Sequence, residues 1–205
     1  VEMYSKLSVG RNKCRNKIWQ TISGMAQMRR TRALSQMTGS TQREKYSVAV
    51  GFARNLEAEL IVSPQEGDNE VAVVKHALPP GKLAAPLHRH SNEDEISYIL
   101  DGQMGVQEDD DVFVVEAGES VVKSRNTWHS FWNPGTEPLR FLEIITPGEF
   151  AWYFAEADEI LPDNGEPDAD TAEQLASLNN RYDFEIDPES VPRLIERHGL
   201  DSSDM

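Results

Sequence analysis

The sequence predicts an all-β protein: an antiparallel jelly-roll barrel with short C-terminal helices and a disordered N-terminal extension. Between residues 46 and 146, short runs rich in Val, Ile, Phe and Tyr recur at close spacing. Turn sequences containing Gly, Pro, Asn and Asp separate these runs, and helical periodicity begins only after Pro147. Many short strands without intervening helices are typical of a barrel or jelly roll.

The first segment, residues 1–45, differs from the rest of the chain in charge. It contains ten Lys/Arg and two acids, and it is rich in Ser, Thr, Asn and Gln without a sustained apolar period. We expect it to be disordered. It could be a basic arm for nucleic acid, a segment resembling a transit peptide, or a dispensable extension. The abrupt change of charge near residue 45 favours the extension.

The remainder of the chain is strongly acidic. The net charge of the whole chain is -15, and residues 46–205 hold 33 acids against ten Lys/Arg. Such a surface repels nucleic acid and anionic membranes, so neither is expected as a partner. No apolar stretch is long enough to span a membrane, and Cys14 is the only cysteine. These features predict a soluble, cytoplasmic protein without a disulfide framework.

The barrel is expected over residues 46–148. Its candidate strands are 46–50, 57–62, 70–78, 85–90, 95–101, 104–107, 112–116, 119–123, 128–132 and 138–146. Each has the length of an ordinary sandwich or barrel strand. The segments between them, such as "PPGK", "DGQ" and "NPGTEP", combine residues that accept positive φ with prolines that preset a turn.

Residues 149–205 are predicted to form a helical segment. The first helix places Phe150, Tyr153, Phe154, Ala157 and Leu161 at helical spacing, so that one face can pack on the barrel.

Two further helices are expected after a polar linker. Asp170 and Glu173 have the spacing of a capping box. The last helix begins at Ser190 and ends before Gly199, and His198 in its final turn is expected to be structural, because a cation there favours the helix dipole.

Two histidines one residue apart indicate a binding cluster. His88 and His90 point to the same face of a strand, and after the short break "SNED" the next strand can bring Glu95 beside them. His129 lies in an aromatic-rich strand that can complete the cluster. Three neutral imidazoles and one carboxylate can hold one divalent transition metal, and Fe, Mn, Ni, Cu and Zn all remain open.

These motifs resemble those of the cupin superfamily, in particular its small single-domain, quercetin-dioxygenase-like members. The first cupin motif matches Gly81, His88, His90, Glu95 and Gly102, with the spacing after Gly81 one residue longer than usual.

The second cupin motif matches Gly118, His129 and Asn133. Ser124 stands where Pro is usual, and Asn126 where Gly is usual. The resemblance implies a cupin barrel and His88, His90, Glu95 and His129 as metal ligands.

Several residues near the cluster are candidates for lesser roles. Side-chain parity predicts that Phe131, Ser97 and Ile99 line the pocket. Glu143 could face inward as an acid or base with a raised pKa, although an outward orientation is favoured. The remaining acids and histidine near the cluster are expected to be solvated (Glu93, Asp94) or outside the ligand set (His76).

The resemblance leaves three functions open. The first is a dioxygenase-type oxidoreductase acting on a small aromatic or enediol-like molecule, with Glu95 as ligand and catalytic proton acceptor. The second is a metal-dependent isomerase or cyclase, and the third a non-enzymatic small-molecule-binding protein.

A homodimer is also predicted. An open jelly roll leaves sheet edges, and Trp128 and Trp132 point away from the pocket. Each tryptophan could lie at the dimer interface or pack under the C-terminal helix.

Overall fold

The strands of this protein alternate buried and more exposed side chains, as a sheet with one covered face requires. In the computed structural model, which describes residues 47–64, 70–162 and 168–202, this alternation is most regular in the strands Ala72–Leu78 and Leu139–Thr146. The prediction of an antiparallel jelly roll is confirmed. The predicted disorder of residues 1–45 lies outside the described residues.

The described residues form eleven strands. In chain order they are β1 Ser47–Val50, β2 Leu56–Val62, β3 Ala72–Leu78, β4 Leu87–His90, β5 Asp94–Asp101, β6 Gln103–Glu108, β7 Asp111–Glu116, β8 Ser120–Lys123, β9 His129–Trp132, β10 Leu139–Thr146 and β11 Phe184–Asp187.

The strands form two sheets. One has the order β1-β2-β3-β10-β5-β8 and the other β11-β4-β9-β6-β7, and every recorded strand pair is antiparallel. The barrel is therefore open, with apolar side chains from both sheets meeting between them. The larger of these include Leu78, Ile99, Met104, Val106, Phe131 and Phe141.

The strand β11 was not predicted, because the C-terminal segment was expected to be helical only. It pairs with β4 and places Phe184 opposite His90 and Ile186 opposite His88. Four alternating residues are too few to give a clear strand signal. The C-terminal segment thereby covers the strand that carries two of the predicted ligands.

The helices agree with the predicted segments. They are α1 Ala151–Ile160, α2 Ala169–Arg181 and α3 Ser190–His198, with short 3-10 turns at Phe52–Arg54 and Gly148–Phe150. None of the helices in the described part of the chain is long and apolar enough to cross a membrane.

The helix ends show one correct and one wrong prediction. The chain leaves α3 through Gly199 at φ 62°, as expected. The predicted cap of α2 is wrong by two residues: Asp168 accepts a hydrogen bond from the Thr171 N–H at 2.8 Å, and Asp170 lies inside the first turn. Both aspartates suit a cap, so the sequence pattern fits either register.

Trp132 packs under the C-terminal helix. It is 3% exposed, contacts a cluster that includes Leu194 and Ile195 of α3, and stacks on the ring of His198 at a centroid distance of 3.9 Å. Burial and the charge of Arg197 lower the pKa of His198, which disfavours the cationic form, and its ring packs on Trp132 in the structure.

The homodimer stays a prediction. Burial removes Trp132 from the residues available for an interface. Trp128 is half-buried and lies under the guanidinium of Arg89, 5.0 Å from the ring centroid.

We predict that Gly105→Ala destabilises the fold. A Cβ at this position of β6 would lie 2.2 Å from Nε1 of Trp132, which α3 holds in place. Overpacking of this kind typically costs about 1–3 kcal/mol of unfolding free energy, measurable by urea denaturation. Because the clash involves the indole, the same substitution in a Trp132→Phe background should cost clearly less. An equal cost in both backgrounds would contradict this account.

Candidate metal centre

Three histidine side chains meet on the inner face of the second sheet. His88 and His90 lie two residues apart on β4 and are both buried. His129 on β9 is the direct cross-strand partner of His88, with ring centroids 4.2 Å apart. The two-residue period of β4 and the β4-β9 register therefore bring the three imidazoles together.

Glu95 reaches the same point from the opposite sheet. Its Oε1 lies 3.5 Å from His90 Nε2, and its Oε2 lies 3.6 Å from His129 Nε2. One potential ligand atom from each of His88, His90, Glu95 and His129 lies within 4.8 Å of the others. The structure thus brings all four predicted ligands together; their role as ligands stays a prediction.

Backbone carbonyls orient two of the imidazoles. His88 Nδ1 lies 2.8 Å from the Pro86 carbonyl oxygen, and His129 Nδ1 lies 3.0 Å from that of Thr127. A carbonyl only accepts, so each Nδ1 carries a proton, and in the neutral imidazole the lone pair is then on Nε2. This arrangement is typical of metal-binding histidines.

Some of these nitrogens lack hydrogen-bond partners. Within the described residues, His90 Nε2 and His129 Nε2 are buried and make no hydrogen bond. Buried polar atoms in proteins nearly always have a hydrogen-bond partner. Two unpaired imidazole nitrogens in one cluster therefore indicate a binding site for a ligand. A divalent transition metal fits this donor set.

The charge state of the cluster also suits a metal. Burial lowers the pKa of His90 to about 4 and, with the neighbouring imidazoles, lowers that of His88 well below its ordinary value. Burial alone would raise the pKa of Glu95, but the charge of Lys123 and interactions with His90 and His129 hold it well below its usual range. Neutral imidazoles beside an ionised carboxylate are the forms that bind metal.

Lys123 is a member of the site that the sequence analysis missed. Its ammonium lies 3.0 Å from Glu95 Oε2 and 3.0 Å from Glu143 Oε2, with 0% of the side chain exposed. Because of these two carboxylates its pKa is raised despite burial. One signal was available: Lys123 follows the inward Val121 by two residues on β8.

The favoured outward orientation of Glu143 is wrong. Glu143 is 2% exposed and accepts a hydrogen bond from the Ser97 hydroxyl at 3.0 Å. Burial raises its pKa to about 7, although Lys123 opposes the shift. In the β10-β5 register Glu143 pairs with Ser97, which places it next to Glu95 along the same inward face.

The two acids of the "SNED" break, Glu93 and Asp94, lie in different environments. Glu93 was expected to be solvated but is 5% exposed, and its Oε2 lies 3.9 Å from His90 Nδ1. Burial raises its pKa to about 7. Asp94 forms an ion pair near the surface, with its Oδ2 2.6 Å from Arg125 Nη2. Hydrogen bonds from Arg125 lower the pKa of Asp94 to about 2.

Aromatic side chains enclose the histidines. Phe184 of β11 stacks on the ring of His90 with ring centroids 4.7 Å apart. Phe150 contacts the same ring edge-on, with a centroid distance of 4.4 Å. Phe131 faces inward, as predicted, with Lys123 Nζ 4.7 Å from its centroid. Ile99 is fully buried in the apolar core beyond this layer.

His76 stays outside the cluster, as predicted. It is 1% exposed, its Nδ1 donates to the Glu57 carbonyl oxygen at 2.9 Å, and its ring stacks on Phe141 at 4.9 Å. Burial lowers its pKa to about 4.

Comparisons with known proteins agree with the motifs. Residues 74–145 match the family model described as Cupin domain. A mannose-1-phosphate guanylyltransferase of Salmonella muenchen is 32% identical over 94 residues, which are 46% of this chain. The chain spans only 19% of the length of that relative.

Three solved structures of bacterial proteins match part of this chain. A predicted oxalate decarboxylase from Thermotoga maritima has 28% identity and a TM-score of 0.44, covering 50% of this chain and 93% of its own. A sugar phosphate isomerase from Silicibacter pomeroyi has 20% identity and a TM-score of 0.40, covering 51% and 69%. A conserved double-stranded β-helix protein from Klebsiella pneumoniae has 17% identity and a TM-score of 0.40, covering 56% and 87%.

We predict that His76 contributes to acid denaturation of the metal-free protein. Between pH 6.5 and about 4 the unfolded chain takes up a proton that buried His76 cannot, so stability falls as the pH falls through this range. His76 alone would account for roughly 3 kcal/mol by pH 4. Urea denaturation of His76→Gln at pH 7 and pH 4.5 should show a smaller loss than the wild type. An unchanged loss would contradict the assignment.

Proposed function

We propose that this protein is a metal-dependent enzyme acting on a small molecule, because residues 74–145 match the family model described as Cupin domain. His88, His90, Glu95 and His129 would hold one divalent transition metal. The observation that carries the proposal is the set of buried imidazole nitrogens that face one carboxylate without hydrogen-bond partners.

The proposed reaction is of the dioxygenase type, on a small aromatic or enediol-like molecule. A bound metal would supply Lewis acidity and, for a redox-active ion, chemistry with O2. The chain itself would contribute Glu95 as proton acceptor. The aromatic rings of Phe184 and Phe150 beside His90 would exclude water and favour a flat substrate.

One observation supports a second candidate, a metal-dependent isomerase or cyclase. Glu143 is a buried carboxyl with a pKa of about 7 beside Lys123 and Ser97. A group with this pKa can accept and return a proton at neutral pH, which an isomerisation requires. O2 would not be consumed in such a reaction.

The two candidates are separated by oxygen uptake. Protein purified without a metal-affinity step, analysed for metal and then loaded, would be screened in an oxygen electrode against phenolic and enediol compounds. Substrate-dependent O2 consumption supports the dioxygenase. Conversion of substrate without O2 supports the isomerase or cyclase, and saturable binding without conversion supports a non-enzymatic binding protein.

We predict that His88→Ala and His129→Ala each lose most bound metal while the barrel stays folded. Each substitution removes one imidazole donor and leaves the apolar core intact. Metal content by elemental analysis and folding by circular dichroism are the measurements. His76→Gln is the matched control, since it alters a buried histidine outside the cluster and should keep the metal. Full metal occupancy in both alanine variants would contradict the ligand assignment.

We predict that Glu95→Gln lowers turnover far more than metal content. Three imidazoles still bind a divalent ion, but an amide neither offsets its charge nor accepts a proton. Loss of a general base typically costs about 10²- to 10⁴-fold in rate. The measurement compares turnover per bound metal in the two proteins. Equal turnover would leave Glu95 as a ligand only.

A further inference from the structure

Lys123 places a positive charge where an apolar side chain would fill the same space. It is 1% exposed. Its ammonium contacts the carboxylates of Glu95 and Glu143 and lies 4.7 Å from the ring centroid of Phe131. Lysine is almost never fully buried unless it is paired, because removing an ammonium ion from water costs several kcal/mol. The charge of Lys123 therefore requires an explanation beyond packing.

The position of this charge relative to the cluster is informative. Lys123 Nζ contacts Glu95 Oε2, the same oxygen that lies 3.6 Å from His129 Nε2. That oxygen belongs to the proposed ligand set. Lys123 and a metal ion would therefore share one carboxylate.

We infer that Lys123 is a resident counter-cation, which holds the Glu95 carboxylate in position through their contact when no metal is bound and weakens metal binding when one arrives. Only the second half of this inference, the weakening of metal binding, rests on the proposed metal site. In the metal-free protein the ammonium offsets the buried charge of Glu95 and Glu143. With metal bound, the same ammonium and the metal repel each other across one carboxylate.

The inference makes two predictions of opposite direction for Lys123→Met. Metal-free protein should lose stability, with a thermal midpoint lower by roughly 10 °C, because the two carboxylates lose their counter-charge. Zn²⁺ should nevertheless bind more tightly, by roughly tenfold or more, because the repulsion is gone. A lysine that only supported the shape of the site would, on removal, weaken both properties together.

The experiment is thermal unfolding of the metal-free proteins and Zn²⁺ titration by calorimetry with a competing chelator. Lys75→Met is the matched control: Lys75 lies on β3, partly exposed, 3.7 Å from Glu59, and its loss should change neither quantity appreciably. A double variant, Lys123→Met with Glu143→Gln, removes the ammonium together with one of the two carboxyl groups that it contacts, and guards against failure of the single variant to fold. It should bind Zn²⁺ more tightly than Glu143→Gln alone, which lacks the same carboxyl group but keeps Lys123.

The two measurements, metal-free stability and Zn²⁺ affinity, separate this inference from the proposed function. Wild-type protein that binds no Zn²⁺ would overturn the proposed metal site and the second half of the inference, while the stability arm needs no metal. Unchanged metal-free stability in Lys123→Met would overturn the first half. The second half would be overturned by Zn²⁺ binding no tighter than in the wild type in folded Lys123→Met, or no tighter than in Glu143→Gln in the folded double variant.

Discussion

The contact of Lys123 with Glu95 and Glu143 is the interaction on which the interior of this protein depends. One ammonium and two carboxyl groups lie between sheets whose other inward residues are mostly apolar, and each of the three side chains is at most 5% exposed. A carboxylate in such surroundings would ordinarily take up a proton. The shared ammonium keeps Glu95 ionised, so the histidines of the opposite sheet face a negative charge.

The two sheets contribute different chemistry to the site. The sheet containing β4 and β9 supplies the imidazoles, and the sheet containing β5, β8 and β10 supplies the charged groups. Each strand places its functional side chains at alternate positions, with core residues continuing the same face. The site is therefore one polar layer of an ordinary sandwich interior, and its geometry depends on the sheets keeping their register.

Much of this could be predicted from the sequence, for identifiable reasons. Turn residues and strand lengths gave all ten barrel strands, and the spacing of His88, His90 and Glu95 placed them on inward faces. The orientation of Glu143 could not be predicted, because an acid flanked by apolar residues fits either face until its partner is known. That partner, Lys123, is twenty residues away in the chain and becomes its neighbour only through β5, which lies between β8 and β10.

The pairing of β11 with β4 has a consequence for the order in which the protein can mature. β4 carries His88 and His90, and without β11 it would be the edge of its sheet. Phe184, which stacks on His90, is synthesised long after the other strands of both sheets. During synthesis the residues of the other ten strands therefore precede the residue that stacks on His90, and the His90 ring gains this contact only after all of them have been made.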